Sequence, residues 1–288
     1  IYYIQFPPEN NIINDDLSIR LTDYVLPIVD YKIKSKTIAF STDVYFQCNN
    51  NMNCSANLIE KEKSQNYQVY NKLMMFHWDK WLVEGKGSHV FIQRLDLSEQ
   101  TIVLKDDPKD VTVGMEINCP PLFTDSSNYE LSNDGNMIAF SGHLRTREEA
   151  WKTGFKTYYQ NLLTMKKPVC ITNHTSARTQ NPVFSKDGTK IAYLAMKIPD
   201  LESEILHLEV YNILTNKLTI IPNDEELSIQ GFFWKSDSEF IIYVTTYQVN
   251  RLFTLNIRNP IKPIVEKYPV NNPDISYSLP SFPLNNRY

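Results

Sequence analysis

The feature that most constrains the fold of this chain is a short motif that recurs about every fifty residues. Each copy places a turn before a strand of aromatic and β-branched residues, and three clear copies end at Phe140, Tyr193 and Tyr243, 53 and 50 positions apart. A fainter copy at residues 38–41 lies 100 positions before residues 138–141. A fixed period of this length in a strand-rich chain indicates a repeat architecture.

Each copy of the motif predicts a β-hairpin. In the copy at residues 183–194, Asp187 and Gly188 supply the turn, because glycine accepts a positive φ and aspartate favours the opening positions of turns. A second hairpin follows in most copies, for example residues 206–211 with 217–221. Four strands in about 50 residues make one blade of a β-propeller. We therefore predict an all-β fold, a partial β-propeller of four-stranded blades with a helical insert.

The period also predicts how the chain is divided. Residues 1–288 are expected to form a single incomplete propeller domain, an arc of a larger ring, since closed rings hold about 4–8 blades. The insert interrupts the second unit and includes a helical stretch at residues 58–73. The blade-like units are predicted at about 1–46, 47–105, 112–172, 178–222 and 228–268, with 269–288 beginning a following segment.

Composition argues against two kinds of partner. The 33 acidic and 29 basic residues give a net charge of −4 without a long block of one sign, whereas nucleic-acid binding needs a concentrated basic face. No apolar run approaches the ~20 residues that cross a bilayer, so no membrane segment is expected in this chain.

The cysteines and two glycosylation sequons bear on the cellular compartment. Cys48 and Cys54 lie six positions apart in a polar loop and could close a short disulfide ring, whereas Cys119 and Cys170 also fit buried free thiols. The sequons are of a kind that chance also produces in an Asn-rich chain. Together these features favour a secreted or secretory-pathway protein. The candidate glycosylation sites are Asn53 and Asn173.

The chain shows no catalytic or metal-binding pattern. It contains no Gly-x-Ser-x-Gly nucleophile motif, and the nearest string, at residues 85–89, lacks the last glycine. The five histidines are scattered without the spacing of a metal site. We expect no catalytic residue, no metal and no cofactor in this chain.

Residues 77–81 (His-Trp-Asp-Lys-Trp) are the most specific local pattern, because they hold two of the four tryptophans. In a structural interpretation Trp78 and Trp81 pack over the insert while Asp79 bonds a backbone amide. In a functional one, Asp79 pairs with a cationic amine at an aromatic-walled site beside His77.

A second candidate site lies in the irregular segment at residues 144–151. Glu148, Glu149 and Trp151 could serve the same purpose as the tryptophan motif. Adjacent glutamates at the start of a helix can equally be no more than favourable charges on the helix macrodipole.

The tryptophan motif also carries a family resemblance. Residues 76–91 resemble the Arg-His-Trp-Asp-Thr-Trp…Gly-Lys-Arg-x-His-Leu-Phe signature of dipeptidyl peptidase V-like enzymes, members of the prolyl oligopeptidase family near the acylaminoacyl-peptidase branch. Residues 149–155 are similar to that family's Glu-Ala-Trp-Ser-Thr-Asn segment. The match runs over most of the chain.

The resemblance implies a two-part parent protein. Its propeller would gate access and position peptide N-termini, while a C-terminal α/β-hydrolase domain, expected to be absent from this chain, would act as a serine-type dipeptidyl peptidase. The implied partners are the peptide substrate and that hydrolase domain of the same parent chain. The residues expected to support the substrate N-terminus are Asp79, Glu148, Glu149 and Trp151.

Two departures from the family signature keep an alternative open. Phe76 stands where the signature has Arg, and Lys80 where it has Thr. The alternative function is a non-catalytic β-propeller that serves as a protein-interaction module. In either case an isolated arc of blades is expected to leave strand edges and apolar blade faces unpaired.

Overall fold

A computed structural model describes residues 1–4, 18–97, 101–122, 124, 126–222, 227–246, 249–258 and 264–266. In these ranges the chain is built from antiparallel sheets and one α-helix, which confirms the predicted all-β, propeller-like fold. Four four-stranded sheets follow one another along the chain, and we name them blades I to IV. None of the described helices is long and apolar enough to cross a membrane.

The first part of the chain contains a terminal hairpin, blade I and the insert. The hairpin consists of β1 (Tyr2–Ile4) and β2 (Ser18–Arg20). Blade I begins with β3 (Asp30–Lys34) and β4 (Thr37–Tyr45). The insert then supplies α1 (Met52–Lys63) and a second hairpin of β5 (Phe76–His77) and β6 (Lys80–Trp81). Blade I is completed by β7 (Lys86–Leu97) and β8 (Ile102–Asp110).

The remaining blades repeat the four-stranded arrangement. Short strand β9 (Ile117–Asn118) pairs with the far end of β11 in blade II. Blade II contains β10 (Tyr129–Leu131), β11 (Met137–Leu144), β12 (Lys156–Asn161) and β13 (Val169–Cys170). Blade III contains β14 (Thr179–Phe184), β15 (Lys190–Ala195), β16 (His207–Asn212) and β17 (Lys217–Ile220). Blade IV contains β18 (Ser228–Ser236), β19 (Glu239–Thr246), β20 (Val249–Asn256) and β21 (Ile264–Glu266).

One predicted boundary differs from the structure. The units predicted at 1–46 and 47–105 share a single sheet, because β4 pairs with β7 from Thr37↔Arg94 to Tyr45↔Lys86. The insert therefore separates the second and third strands of one blade and does not separate two blades. Each of the predicted units 112–172, 178–222 and 228–268 contains one observed sheet.

The insert helix also begins earlier than residues 58–73. It starts at Met52 because Asn51 caps it, with the Asn51 side chain accepting the Cys54 N–H at 2.9 Å. Cys48 and Cys54 form a disulfide with a Cα–Cα distance of 5.6 Å, which ties a 3-10 turn to the first turn of the helix. The segment between these cysteines is thus a turn and a helix start, and not a polar loop.

The recurring motif is the second strand of each blade, and it forms the core. Its Ile-Ala-aromatic triplet at residues 38–40, 138–140 and 191–193 has no exposed surface in any copy. Alternate side chains face different neighbours: Phe140 packs in the layer shared with blade I, and Ala139 in the layer shared with blade III. Burial on both faces explains why the motif is a continuous apolar run, without the polar alternation of a half-exposed strand.

The turn of the motif also contacts the preceding blade. The Gly135 carbonyl accepts hydrogen bonds from Thr37 Oγ1 and Arg94 Nη1, both at 2.9 Å. Gly135 has a φ of +71°, and a Cβ at this position would lie 2.8 Å from the Lys34 carbonyl oxygen. Blades I and II therefore require both the left-handed backbone and the missing side chain of this glycine.

We predict that Gly135→Ala destabilises the protein more than Gly114→Ala. Gly114 has a φ of +77° and open space around it, so both variants carry the left-handed strain of about 1–2 kcal/mol. Only Gly135→Ala adds overpacking between blades, of about 1–3 kcal/mol. Chemical denaturation of both variants measures the difference, and equal losses of unfolding free energy would contradict the contact.

A buried carboxylate links the loop after blade II to blade III. Glu209 is 3% exposed, and it accepts hydrogen bonds from His207 Nε2 at 3.0 Å and His174 Nε2 at 3.2 Å. Burial alone would raise the pKa of Glu209, but hydrogen bonding by His207 and Tyr193 and the charges of His174 and His207 hold the pKa below its ordinary value. A depressed carboxylate pKa stabilises the folded state wherever the group is ionised.

We predict that Glu209→Gln lowers the free energy of unfolding by about 1–3 kcal/mol at neutral pH. The difference in unfolding free energy between wild type and variant should persist at every pH above the unfolded-state pKa of about 4.3. It should narrow as the pH falls below that value, because the wild-type carboxylate is then protonated. Urea denaturation across this pH range measures it, with the exposed Glu60→Gln as control. A pH-independent difference would refute the assignment.

Candidate functional site

The tryptophan motif forms the β5–β6 hairpin, a two-stranded sheet of its own. Trp78 lies in the turn with a φ of +55°, a region that residues with a Cβ seldom adopt, and it is 81% exposed. Trp81 contacts the rings of Phe76 and Tyr70, with centroids 4.8 and 5.7 Å away. Trp81 thus contacts aromatic rings of the insert while it is 62% exposed, whereas Trp78 is presented to solvent. Asp79 is exposed in the same turn.

The hairpin and the segment after β11 line one cavity of about 860 Å³, which is open to solvent. The two candidate sites identified in the sequence therefore meet in space, although they are about seventy residues apart in the chain. Asp79 and Glu148 lie outside the lining of the cavity. The residues of the wall that matter for its chemistry are His77, Trp78, Glu149, Trp151, Phe155 and Arg178.

Glu149 is a buried carboxylate at the cavity wall. Its Oε2 accepts a hydrogen bond from Arg145 Nε at 2.9 Å, and both side chains are at most 5% exposed. Its Oε1 is buried and has no hydrogen-bond partner. Burial raises the pKa of Glu149, and the charge and hydrogen bond of Arg145 oppose that rise. The site thus offers one unused acceptor on a carboxylate.

Arg145 is itself fixed by blade I. Its Nη1 donates to the Lys86 carbonyl at 2.7 Å, and its backbone N–H donates to the Glu116 carbonyl at 2.8 Å. Because Arg145 lies directly after β11 of blade II, these bonds fix the position of the Glu149 carboxylate relative to both blades.

The neighbouring glutamate is placed differently. Glu148 pairs with Lys152 on the surface, and both side chains are about half exposed. Residues 147–150 form a 3-10 turn, which directs adjacent side chains to different sides. Trp151 follows this turn, lines the cavity and is 52% exposed.

Several cavity residues were missed by the sequence analysis, and His143 and Arg178 are two of them. His143 Nε2 donates to the Lys152 carbonyl at 3.1 Å, and burial lowers the pKa of His143, with nearby cations adding to the effect. The Arg178 guanidinium lies over the Phe155 ring, 4.6 Å from its centroid. Neither residue belongs to a recognisable motif, and Arg178 reaches the cavity only because the chain returns from blade II to begin β14.

The other sequence candidates are placed as follows. Asn53 lies on the exposed side of α1 and Asn173 in an exposed loop, and glycosylation of either stays a prediction. Cys119 and Cys170 are free thiols, the first buried and the second partly buried. Within the described ranges, no three His, Cys, Asp or Glu side chains are grouped closely enough to hold a metal ion.

The chain is similar in sequence to known dipeptidyl-peptidases. No protein-family model matches it. It is 26% identical over 211 residues to a dipeptidyl-peptidase 4 of Giardia intestinalis, covering 62% of this chain and 27% of that protein. It is 28% identical over 227 residues to a probable dipeptidyl-peptidase 5 of Arthroderma benhamiae, covering 72% of this chain and 30% of that protein.

A structural comparison agrees on the fold. Prolyl oligopeptidase B from Galerina marginata superposes with a TM-score of 0.51 and 10% sequence identity, over 88% of this chain and 31% of that one. The resemblance to dipeptidyl-peptidases that the tryptophan motif predicts is therefore confirmed at the level of sequence similarity. The chain spans less than a third of the length of these relatives.

Proposed function

We propose that this chain is the propeller part of a dipeptidyl-peptidase-like serine peptidase, and that it holds the N-terminal ammonium group of peptide substrates at Glu149. The observation that carries the proposal is the unpartnered, buried Oε1 of Glu149 at the wall of the 860 Å³ cavity. Hydrolysis would take place on a hydrolase domain outside this chain, and the stacked blades would gate access to it.

The chemistry of the site suits an ammonium group. A buried acceptor without a donor is costly, and an ammonium group brings three donors together with a compensating charge. Trp78, Trp151 and Phe155 supply aromatic walls that favour a cation and displace water. Arg145 occupies the other carboxylate oxygen, so a single oxygen is left for the ligand.

The names of the relatives support the same role. An enzyme that releases dipeptides must locate the free N-terminus at a fixed distance from the bond it cleaves, and a buried carboxylate does this by charge-assisted hydrogen bonding. We assign the other predicted support residues lesser roles: Trp151 forms part of the wall, and the exposed Asp79 and Glu148 add negative potential near the rim. The Cys48–Cys54 disulfide supports a secretory-pathway location.

The alternative function is a non-catalytic interaction module. The exposed aromatic side chains of the β5–β6 hairpin favour it: Phe76 is 46% exposed, Trp81 62% and Trp78 81%. Aromatic residues are enriched at protein interfaces. If the protein from the complete open reading frame cleaves no dipeptidyl substrate yet retains a protein partner through this hairpin, the alternative replaces the peptidase assignment.

We predict that Glu149→Gln raises the KM for dipeptidyl p-nitroanilides by about 10- to 100-fold, the value of a charge-assisted hydrogen bond. Glutamine preserves the acceptor for Arg145, which keeps the fold intact. The control is Glu60→Gln, an exposed glutamate of α1 that does not line the cavity. The assay uses protein from the complete open reading frame and compares free with N-acetylated substrates. Equal rates on both substrates with the wild-type enzyme would refute the ammonium site.

We also predict a two-sided pH dependence of KM. On the acid side KM should rise as the pH falls through the raised pKa of Glu149, because a protonated carboxyl no longer attracts the ammonium group. On the alkaline side KM should rise as the substrate amine loses its proton near about 7.7–8.0. Steady-state kinetics across this range measure both limbs, and the acid limb should vanish in Glu149→Gln.

A further inference from the structure

We propose that Arg178 forms a carboxylate-binding site in the same cavity, so that the preferred peptide carries a carboxylate as well as a free N-terminus. The inference rests on the proposed function for the identity of the ligand as a peptide. The anion site itself is argued from Arg178 and its surroundings.

The Arg178 guanidinium is held in place by contacts that leave its donors unused. The backbone carbonyl of Arg178 accepts the Met196 N–H at 3.0 Å, which anchors the residue to the end of β15. The guanidinium lies over the Phe155 ring, and Phe155 is 9% exposed. The face of an aromatic ring attracts a guanidinium without accepting its N–H groups as a carboxylate or carbonyl oxygen would.

The donors of Arg178 lack an acceptor among the described residues. Its Nε is buried and makes no hydrogen bond. A guanidinium group has five N–H donors and no acceptor, so only an anion or a carbonyl oxygen can satisfy it. An arginine placed only for structure would be expected to use its buried Nε in a bond to the protein.

The charge at this position is not neutralised by a direct ion pair. Glu202 lines the same cavity, and its charge favours the charged form of Arg178, but no Arg178 nitrogen lies within 4.0 Å of a Glu202 oxygen in the described structure. Lys152, the other cation of the wall, is already paired with Glu148. The positive field of Arg178 also contributes to the lowered pKa of His143.

A planar carboxylate is the ligand that this arrangement fits. The guanidinium edge presents two parallel N–H groups that match the two oxygens of a carboxylate. With Glu149 taking the ammonium group, one cavity would bind both charged ends of a zwitterionic segment. The carboxylate could come from an acidic side chain near the substrate N-terminus or from the C-terminus of a short peptide, and the two sources are separable by experiment.

The kinetic test uses protein from the complete open reading frame and substrates matched in shape. One arm compares Asp with Asn in the first two positions of dipeptidyl p-nitroanilides, and the other compares tripeptide acids with tripeptide amides. Wild-type enzyme should prefer the charged member of one arm, which identifies the source. Arg178→Gln should reduce kcat/KM for that member by about 10- to 100-fold and leave its neutral counterpart within about 2-fold. Arg178→Lys should give a kcat/KM between those of wild type and Arg178→Gln, because lysine keeps the positive charge but lacks the two parallel N–H donors of the guanidinium.

A binding test separates this inference from the proposed function. N-acetyl-glutamate has carboxylates and no ammonium group, and its control is the α-amide of N-acetyl-glutamine, which has no carboxylate. Thermal shift should show stronger stabilisation of wild type by N-acetyl-glutamate, lost in Arg178→Gln and kept in the control Arg147→Gln, an exposed arginine of the neighbouring turn. This result would stand even if N-acetylated and free substrates were hydrolysed equally.

Three results of the binding test would contradict the proposal. Equal thermal shifts with both ligands, an unchanged response in Arg178→Gln, or stabilisation by inorganic phosphate and by neither ligand would each exclude a carboxylate site at Arg178. If Arg178→Gln fails to unfold cooperatively, Arg178→Lys decides: a response to N-acetyl-glutamate equal to that of wild type excludes bidentate binding, and a reduced response supports it.

Discussion

The structure depends on strands that are buried on both faces in three of the four blades. In β4, β11 and β15 the Ile-Ala-aromatic triplet has no exposed surface, since alternate side chains pack into the layers on either side. Over the triplet, such a strand presents no side chain to solvent. The residues that we assign to the ligand therefore lie in the connections: the insert between β4 and β7, the segment between β11 and β12, and the return to β14, whereas His143 lines the cavity from the end of β11. Every residue that we assign to ligand binding comes from one of these three connections.

The candidate site is organised by opposite charges in one cavity. Glu149 keeps one oxygen for Arg145 and leaves the other unused, while Arg178 is held over Phe155 with its Nε unused. Each group is costly to bury alone, and neither is close enough to the other to be paired directly in the described structure. A ligand with both charges would satisfy two buried polar groups that the fold leaves incomplete.

The sequence predicted the scaffold better than the site. The repeat was visible because burial on both faces demands the same apolar triplet in each copy, and the tryptophan motif was visible because tryptophan is rare. Glu148 and Glu149 could not be distinguished in the sequence, since a 3-10 turn decides which one enters the cavity. Arg178 carries no local signal, because its role follows from a long-range return of the chain. The boundary at residue 46 was misplaced because an insert within a blade looks like a gap between blades.

The Arg145 contacts have a consequence for how ligand binding and folding are related. Arg145 joins the Glu149 carboxylate to the Lys86 and Glu116 carbonyls, so the geometry of the cavity and the docking of blade I on blade II share the same side chain. By thermodynamic linkage, a ligand that stabilises these hydrogen bonds also stabilises the docking of the two blades. Any condition that separates the blades lowers the affinity for the ligand by the same free energy. Occupancy of the cavity would then report on whether blades I and II remain docked.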